Sequence, residues 1–492
     1  MRTPPPHPHP HESLPLQTCP PIKLVFVVGN RKGNVIGFFH VVLCVKGKSV
    51  ISERLNKHCV YQLPEDAPRL LAMPDWADLK LNNLGYTLEL QVSAVIGDGL
   101  KLQEAAALYF RTIHTWFPIV SEKNYHARLA NTRVQTNTTP PELSLLTLCM
   151  ALVCKEPIAG VLPDSTWSLY VSIKGFVGLL EVMGANSLEM IQSRILLTIF
   201  EIGHAVNDAA CISAAANLRA AFGLNLDSLG QKSASPEEQE EIQNVRYALL
   251  IVDSYASLES GQPPSTQRGR PSSDTKDVAD VELNAFPKLA RASKLLDWVL
   301  IHLYATSPQD RSSGVEGVAI LKCLTSFMTT FQNVELHPHP LSDSALAISR
   351  SAMIEALELG SHMINPDNYY CVLTSVNILK SLVHEVGLGG KTPPPVETAA
   401  FPVFIAHCLF KAAMVCLCDT RVSGGIDTEP FIQPMKILLG YLGLRWVAAS
   451  RCSNDFDSVI RTYHDRKIFG EDRTSTNAIS FENQKSGDPN QT

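Results

Sequence analysis

Residues 187–226, SLEMIQSRILLTIFEIGHAVNDAACISAAANLRAAFGLNL, decide how this chain folds. Leu188, Ile191, Ile195, Ile199, Ile202 and Val206 recur at steps of three and four, which draws one apolar stripe along a helix and is poor spacing for a strand. Gly203 weakens the middle of the run. Asn207 is placed to cap a second start, Asp208 would sit in its first turn, and Gly223 is the residue type that ends helices. The spacing predicts two helices in tandem, as a hairpin or a kinked pair. By pattern alone this suits a buried hairpin of any all-α protein.

The whole chain has room for such a core. Its 492 residues allow roughly two to four domain-sized units, or one large helical domain with extensions. Hydrophobic residues make up 45% and charged residues 18%, which is too apolar for general disorder, so most of the chain is expected to fold. The formal charge of -6 gives no overall attraction to phosphate backbones, so nucleic-acid binding would need a local basic patch. Arg31-Lys32 lies in a Gly/Asn turn-like sequence and Arg268 with Arg270 in a Pro/Ser/Gly-rich linker; both read as solvated loops.

The twelve cysteines contain no C-x-x-C pair, the close ones being Cys149/Cys154 and Cys416/Cys418. Zinc half-sites need two ligands a few residues apart, repeated, and that spacing is missing. Several cysteines sit in apolar runs such as LLTLCMALVC, where a small buried hydrophobe is the usual role, and reduced thiols in an intracellular compartment are expected. The opening MRTPPPHPHPHESLP lacks the basic-then-apolar pattern of a secretory signal. The apolar run 35–45 is too short to span a bilayer, so no membrane association is expected.

In chain order, residues 1–21 are rich in Pro and His and are expected to be disordered. Residues 22–51 carry β-branched and aromatic residues around GNRKGN, which predicts two short strands and a turn within an irregular N-terminal extension, 22–100. Residues 102–125, LQEAAALYFRTIHTWFPIVSEKNY, open as a helix with Leu102, Ala106, Tyr109, Phe110 and Ile113 on one face, limited by Pro118; Ser121 caps a short helix after it. Helices are expected over 142–154 and over 165–183, the second burying Leu169, Ile173, Phe176, Val177 and Leu180. Ser235, Pro236 and Glu238 mark a helix start with a capping box, and Val245, Leu249, Val252 and Leu258 can then face the core. Residues 260–280 read as an exposed linker. Helices resume over 288–304, 315–331, 345–364 and 366–386, with Asn365-Pro366 as a sharp start and GLGGKTPPP as a sharp stop; 401–417 is apolar. From Asn454 the polar composition predicts a disordered tail, placing a boundary at 453–492.

Several of these pieces resemble the regulatory region, often called the middle homology region, of fungal zinc-cluster transcription factors. The run 193–226 resembles its centre. YFRTIHTWFPIVSEKNY resembles its entry motif, the roles falling on Tyr109, Phe110, His114, Trp116, Phe117, Pro118 and Tyr125. FPVFIAHCLFKAAMVCL and the later MKILLGYLGLRWVAASRC resemble its closing helices, the latter through Leu442, Arg445-Trp446 and Ala448-Ala449. Where the family has a basic pair and tryptophans ahead of an Asp and a Gly-Pro-type loop, this chain keeps Asp253 and the loop but has Arg246-Tyr247-Ala248. The resemblance spans roughly 100–452, in ordered pieces.

The resemblance implies an all-α regulatory domain, 101–452, in a nuclear transcription regulator of metabolic or secondary-metabolite genes. It implies protein partners, a co-regulator or another transcription factor, and admits a small-molecule effector. Cys19, Cys44 and Cys59 cannot make the family's six-cysteine zinc module, so direct DNA contact by this chain is not expected. An all-α enzyme is the competing reading, with His204/Asp208, four apart as a metal pair would need, or His337/His339 as ligands; a helical interaction scaffold is the third. His114, beside Trp116 and Phe117 with no nucleophile or orienting acid near it in sequence, reads as a packed histidine rather than a base. No fixed internal repeat is present, and no nucleophile–base pair or phosphate-binding glycine loop. No catalytic, cofactor-binding, metal or DNA-binding residue is therefore assigned, and no cofactor is expected.

Overall fold

The computed structural model describes residues 81–135, 139–226, 228–229, 235–266, 285–304, 314–331, 344–364, 369–385, 401–418 and 429–469. The chain divides into two units, Met1–Ala67 and Pro68–Thr492, and the described residues all fall in the second. The Pro/His tract, the hairpin expected over 22–51, the Arg31-Lys32 and Arg268/Arg270 loops, the 366–386 helix start, GLGGKTPPP, His337, His339 and the tail from 470 onward lie outside the described residues.

The central stretch forms α6, Leu188–Gly203, and α7, Asn207–Leu224, as a tandem pair. Ser187 starts α6 by accepting from the Met190 N–H at 3.3 Å. The expected stripe is buried from Leu188 to Ile202, but burial reaches well beyond it and takes in the polar Gln192, Ser193, Thr198 and Glu201. The junction differs from expectation. Ala205 takes the left-handed conformation (φ 56°), the Val206 N–H donates to Glu201 O (2.8 Å) and the Ala205 N–H to Ile202 O (3.1 Å), a Schellman-type end that usually recruits glycine. Asn207 does not cap. It is the first residue of α7, Val206 preceding it without a side-chain bond, and its amide reaches Glu259 O (3.4 Å) on a neighbouring helix. Gly223 does not end α7 either; Asn225 supplies the left-handed residue (φ 51°).

Among the described residues, five helices precede this pair: α1 (Leu81–Val95), α2 (Gly99–Arg111), α3 (Glu122–Gln135), α4 (Pro141–Val153) and α5 (Asp164–Val182), with a short 3-10 turn at Ile113–Thr115. After it, the described residues form α8 (Pro236–Ser260), α9 (Ala285–Leu303), α10 (Gly314–Thr329), α11 (Ser344–Ile364), α12 (Tyr369–Glu385), α13 (Ile405–Cys418), α14 (Glu429–Arg445) and α15 (Val447–Phe469). Among the described residues there is no strand, so the fold is all-α. Ser235 caps α8 (3.2 Å from the Glu238 N–H), Pro236 fills its first position, and Val245, Leu249, Val252 and Leu258 are buried.

Two expectations are corrected. The extension 22–100 is not irregular throughout, because α1 buries Leu84 and Leu88 against α4. The tail does not begin at 453: α15 runs on to Phe469, since Phe456 and Ile460, one turn apart beneath a polar surface, bury against the domain. Composition suggested disorder there, and spacing overrode it.

The packing closes on itself. α6 lies against α4, α7 and α8; α8 leads through α9, α11 and α13 to α15, and α15 returns to α6. One continuous core of aliphatic and aromatic side chains runs through this circuit.

Candidate functional site

The segment around Pro118 is held by one carboxylate. Glu241, fully buried on α8, accepts from the Ser121 N–H (3.1 Å), Asn124 Nδ2 (2.9 Å), Arg128 Nη2 (2.8 Å) and Gln192 Nε2 (2.8 Å). Gln192 also donates to Ile119 O (2.7 Å), and Asn244 Nδ2 to Pro118 O (3.0 Å). A buried carboxylate is costly unless a cation and further donors surround it. Here they come from the loop after Pro118, from α3 and from α6, so Glu241 fixes three parts of the chain to α8. Ser121 meanwhile caps α3 as expected, accepting from the Asn124 N–H (3.3 Å). That helix is longer than the short one expected.

The aromatic residues of this segment meet the closing helices. Trp116 stands edge-on to Phe404 (5.6 Å) and to Trp446 (6.4 Å), and Phe404 in turn meets Tyr255 (4.8 Å). Trp446 is fully buried, its Nε1 donating to Phe401 O at 2.9 Å. Its six-membered ring occupies the space that any side chain at Gly203 would need. The glycine expected to weaken α6 is thus the contact point of α6 with the turn between α14 and α15.

Arg445 is also fully buried. Its guanidinium stacks over Trp446 (3.9 Å) and donates to Lys155 O (3.1 Å) and Val153 O, carbonyls at the end of α4 that lack a helical partner. Burial pulls its pKa down to about 10, against the pull of Cys154 and Glu156, so it stays charged at neutral pH. The negative end of the α4 dipole stabilises that charge.

His204 caps the end of α6, 4.4 Å from Phe200 and 5.6 Å from Trp446 by ring centres. Burial, then the Arg445 charge, push its pKa down to about 3, so the ring is neutral in ordinary conditions. Asp208 lies beyond the Ala205 reversal and is exposed, so the two do not share one helix face. Among the described residues no group of three or more His, Cys, Asp or Glu side chains could hold a metal ion. His114 sits in the 3-10 turn between Tyr109 and Phe110, 6.2 and 5.2 Å away, and burial lowers its pKa.

Asp253 gathers the loop after α8, accepting from the Ser265 N–H (3.2 Å), the Thr266 N–H (3.2 Å) and Thr266 Oγ1 (3.0 Å). Arg246, at the position where the family pattern departs, donates to Leu226 O (2.6 Å) and so ties α8 to the end of the central pair. On α11, Ser351 Oγ lies 3.1 Å from His407 Nδ1, whose other nitrogen is 3.9 Å from Glu355. Ser351 is fully buried, so this array packs α11 against α13 and offers no surface nucleophile.

Sequence reasoning missed Glu241 and a second buried carboxylate, Glu201, which pairs with Lys174 (2.8 Å) and accepts from the Tyr170 hydroxyl (2.8 Å). For Glu241 a signal existed: it shares the stripe of Val245, Leu249 and Val252 at steps of four, four and three. The centre as built joins the 109–125 segment, the central pair and the closing helices by packing and hydrogen bonds.

A family model described as the fungal specific transcription factor domain matches residues 106–277, from within α2 to the linker after α8. The chain is also similar to Transcription factor BOA15 of Botryotinia fuckeliana (strain B05.10), 32% identical over 141 residues, which is 28% of this chain and 73% of that protein. No solved structure matches the chain. The resemblance in the closing helices extends beyond the matched residues, and the contact of Trp446 with Gly203 joins the two portions. The chain is a transcription regulator belonging to the fungal specific transcription factor domain family.

Proposed function

We propose that this chain is the regulatory body of a nuclear factor controlling metabolic genes, secondary-metabolite genes among them, and that it reaches promoters through a protein partner that supplies the DNA contacts. The observation that carries this reading is the disposition of charge. The net charge is -6, and several basic side chains of the helical body are taken up by carboxylates: Arg128 by Glu189 and Glu241, Lys174 by Glu201, Lys411 by Glu355 and Glu358, Lys436 by Asp457. Neutralised cations release no counterions from DNA, which removes the main source of affinity for a phosphate backbone. A small-molecule effector acting on the same body is compatible with this reading.

The test pairs two measurements on the full chain. Purified protein is titrated against promoter duplexes at low and moderate salt, and an epitope-tagged copy is mapped on chromatin. Occupancy at discrete promoters, with no sequence-specific binding by the pure protein, is the expected result. Specific binding by the purified chain alone would overturn the partner-mediated reading.

A further inference from the structure

The exposed residues of α7 are Asp208, Ile212, Ala215, Arg219, Phe222 and Gly223, and at 100° per residue they fall on a single stripe along the helix. Ile212 and Phe222 are 71% and 73% exposed, unusual for large apolar side chains, whereas the opposite face of the helix is buried against α6 and α8. Single exposed hydrophobes need no explanation, but two on one stripe, flanking alanine, form a surface suited to another helix.

The charges on the stripe say which helix. Asp208 and Arg219 are equally far from the midpoint between Ser213 and Ala214, one on either side. If the same stripe of a second chain is laid antiparallel across that midpoint, Asp208 of each copy faces Arg219 of the other. Ile212 of each copy then faces Ala215 of the other, a large side chain opposite a small one. The two ion pairs would be separated by roughly 16 Å along the helix at about 1.5 Å per residue. An isologous interface requires this kind of self-complementarity, since each patch meets its own copy.

We infer that α7 is a homodimer interface, pairing antiparallel with α7 of a second copy through Asp208–Arg219 ion pairs and the Ile212 and Ala215 surface, with Phe222 of each copy reaching the Ala205 turn that precedes α7 of the other. The inference concerns self-association and holds or fails independently of which genes the chain controls.

Sedimentation velocity of the full chain over a concentration series tests it, with thermal melting followed by circular dichroism to show that each variant folds. The wild type is expected to dimerise. Arg219→Asp and Asp208→Arg should each weaken the dimer at least tenfold, because every substitution occurs twice in the assembly. The double variant Asp208→Arg/Arg219→Asp should restore it, and Phe222→Ser should weaken it without changing the melting of the monomer. A chain that stays monomeric throughout, as it would if a different protein covered α7, overturns the inference. So does a dimer that survives both single charge reversals.

Discussion

Trp446 fills the space beside Gly203 that a Cβ would otherwise occupy, and this contact closes the helical circuit between α6 and the turn before α15. Gly203 lies inside the residues matched by the family model and Trp446 far beyond them. The helices after the linker are therefore part of the same core as those before it.

Gly203→Ala should destabilise the domain by about 3 kcal/mol, since the ring is fully buried and cannot retreat. Gly440→Ala is the control. That glycine is also helical but has open space around it, so alanine there should stabilise by up to about 1 kcal/mol. Urea unfolding midpoints of the two variants should move in opposite directions.

Glu241→Ala removes the acceptor for four donors and leaves Gln192 and the Ser121 N–H without it in the interior, which should cost about 4 kcal/mol. Glu241→Gln keeps the shape but turns an amide toward donors and should fall between wild type and alanine. Limited proteolysis should show earlier cutting between Pro118 and α3 in the alanine variant.

Acid should weaken the fold well before carboxylates titrate. His204 has a folded-state pKa near 3 against about 6.5 when unfolded, so the unfolded chain binds the extra proton between those values. Stability is thus full above about pH 6.5 and declines as pH falls toward 3, by about 2 kcal/mol between pH 7 and pH 5 from this group. His114 and His407, also lowered by burial, act in the same direction. Melting temperature measured against pH should lose part of its slope in His204→Phe and keep the remainder.

Ala205→Gly should raise stability by about 1 kcal/mol, because a left-handed residue with a Cβ is strained where glycine is not. A fall in melting temperature in this variant would show that the methyl group makes a contact worth more than the strain.

The central pair was legible because Ile191, Ile195, Ile199 and Ile202 carry a helical period that no strand could use. Its junction was misread for a physical reason. Gly203 reads from sequence as a weak point in the run and Gly223 as a helix end, whereas Gly203 answers a tertiary demand, room for Trp446, and the left-handed positions fall to Ala205 and Asn225. The Trp116, Pro118 and Arg445-Trp446 motifs were visible as a family resemblance, but nothing in their spacing could show that they meet. Glu241 stayed hidden in the run EEQEE, where acidic residues ordinarily mark a solvated first turn. Residues 454–469 were misplaced because composition was weighed above the one-turn spacing of Phe456 and Ile460.

The most direct test of the functional account is the transcript profile of a strain lacking this gene, compared with the same strain carrying the restored wild-type chain. The account predicts altered transcripts from a limited set of metabolic genes, returned to normal by restoration. Profiles indistinguishable from wild type across the conditions in which the protein is made would contradict it.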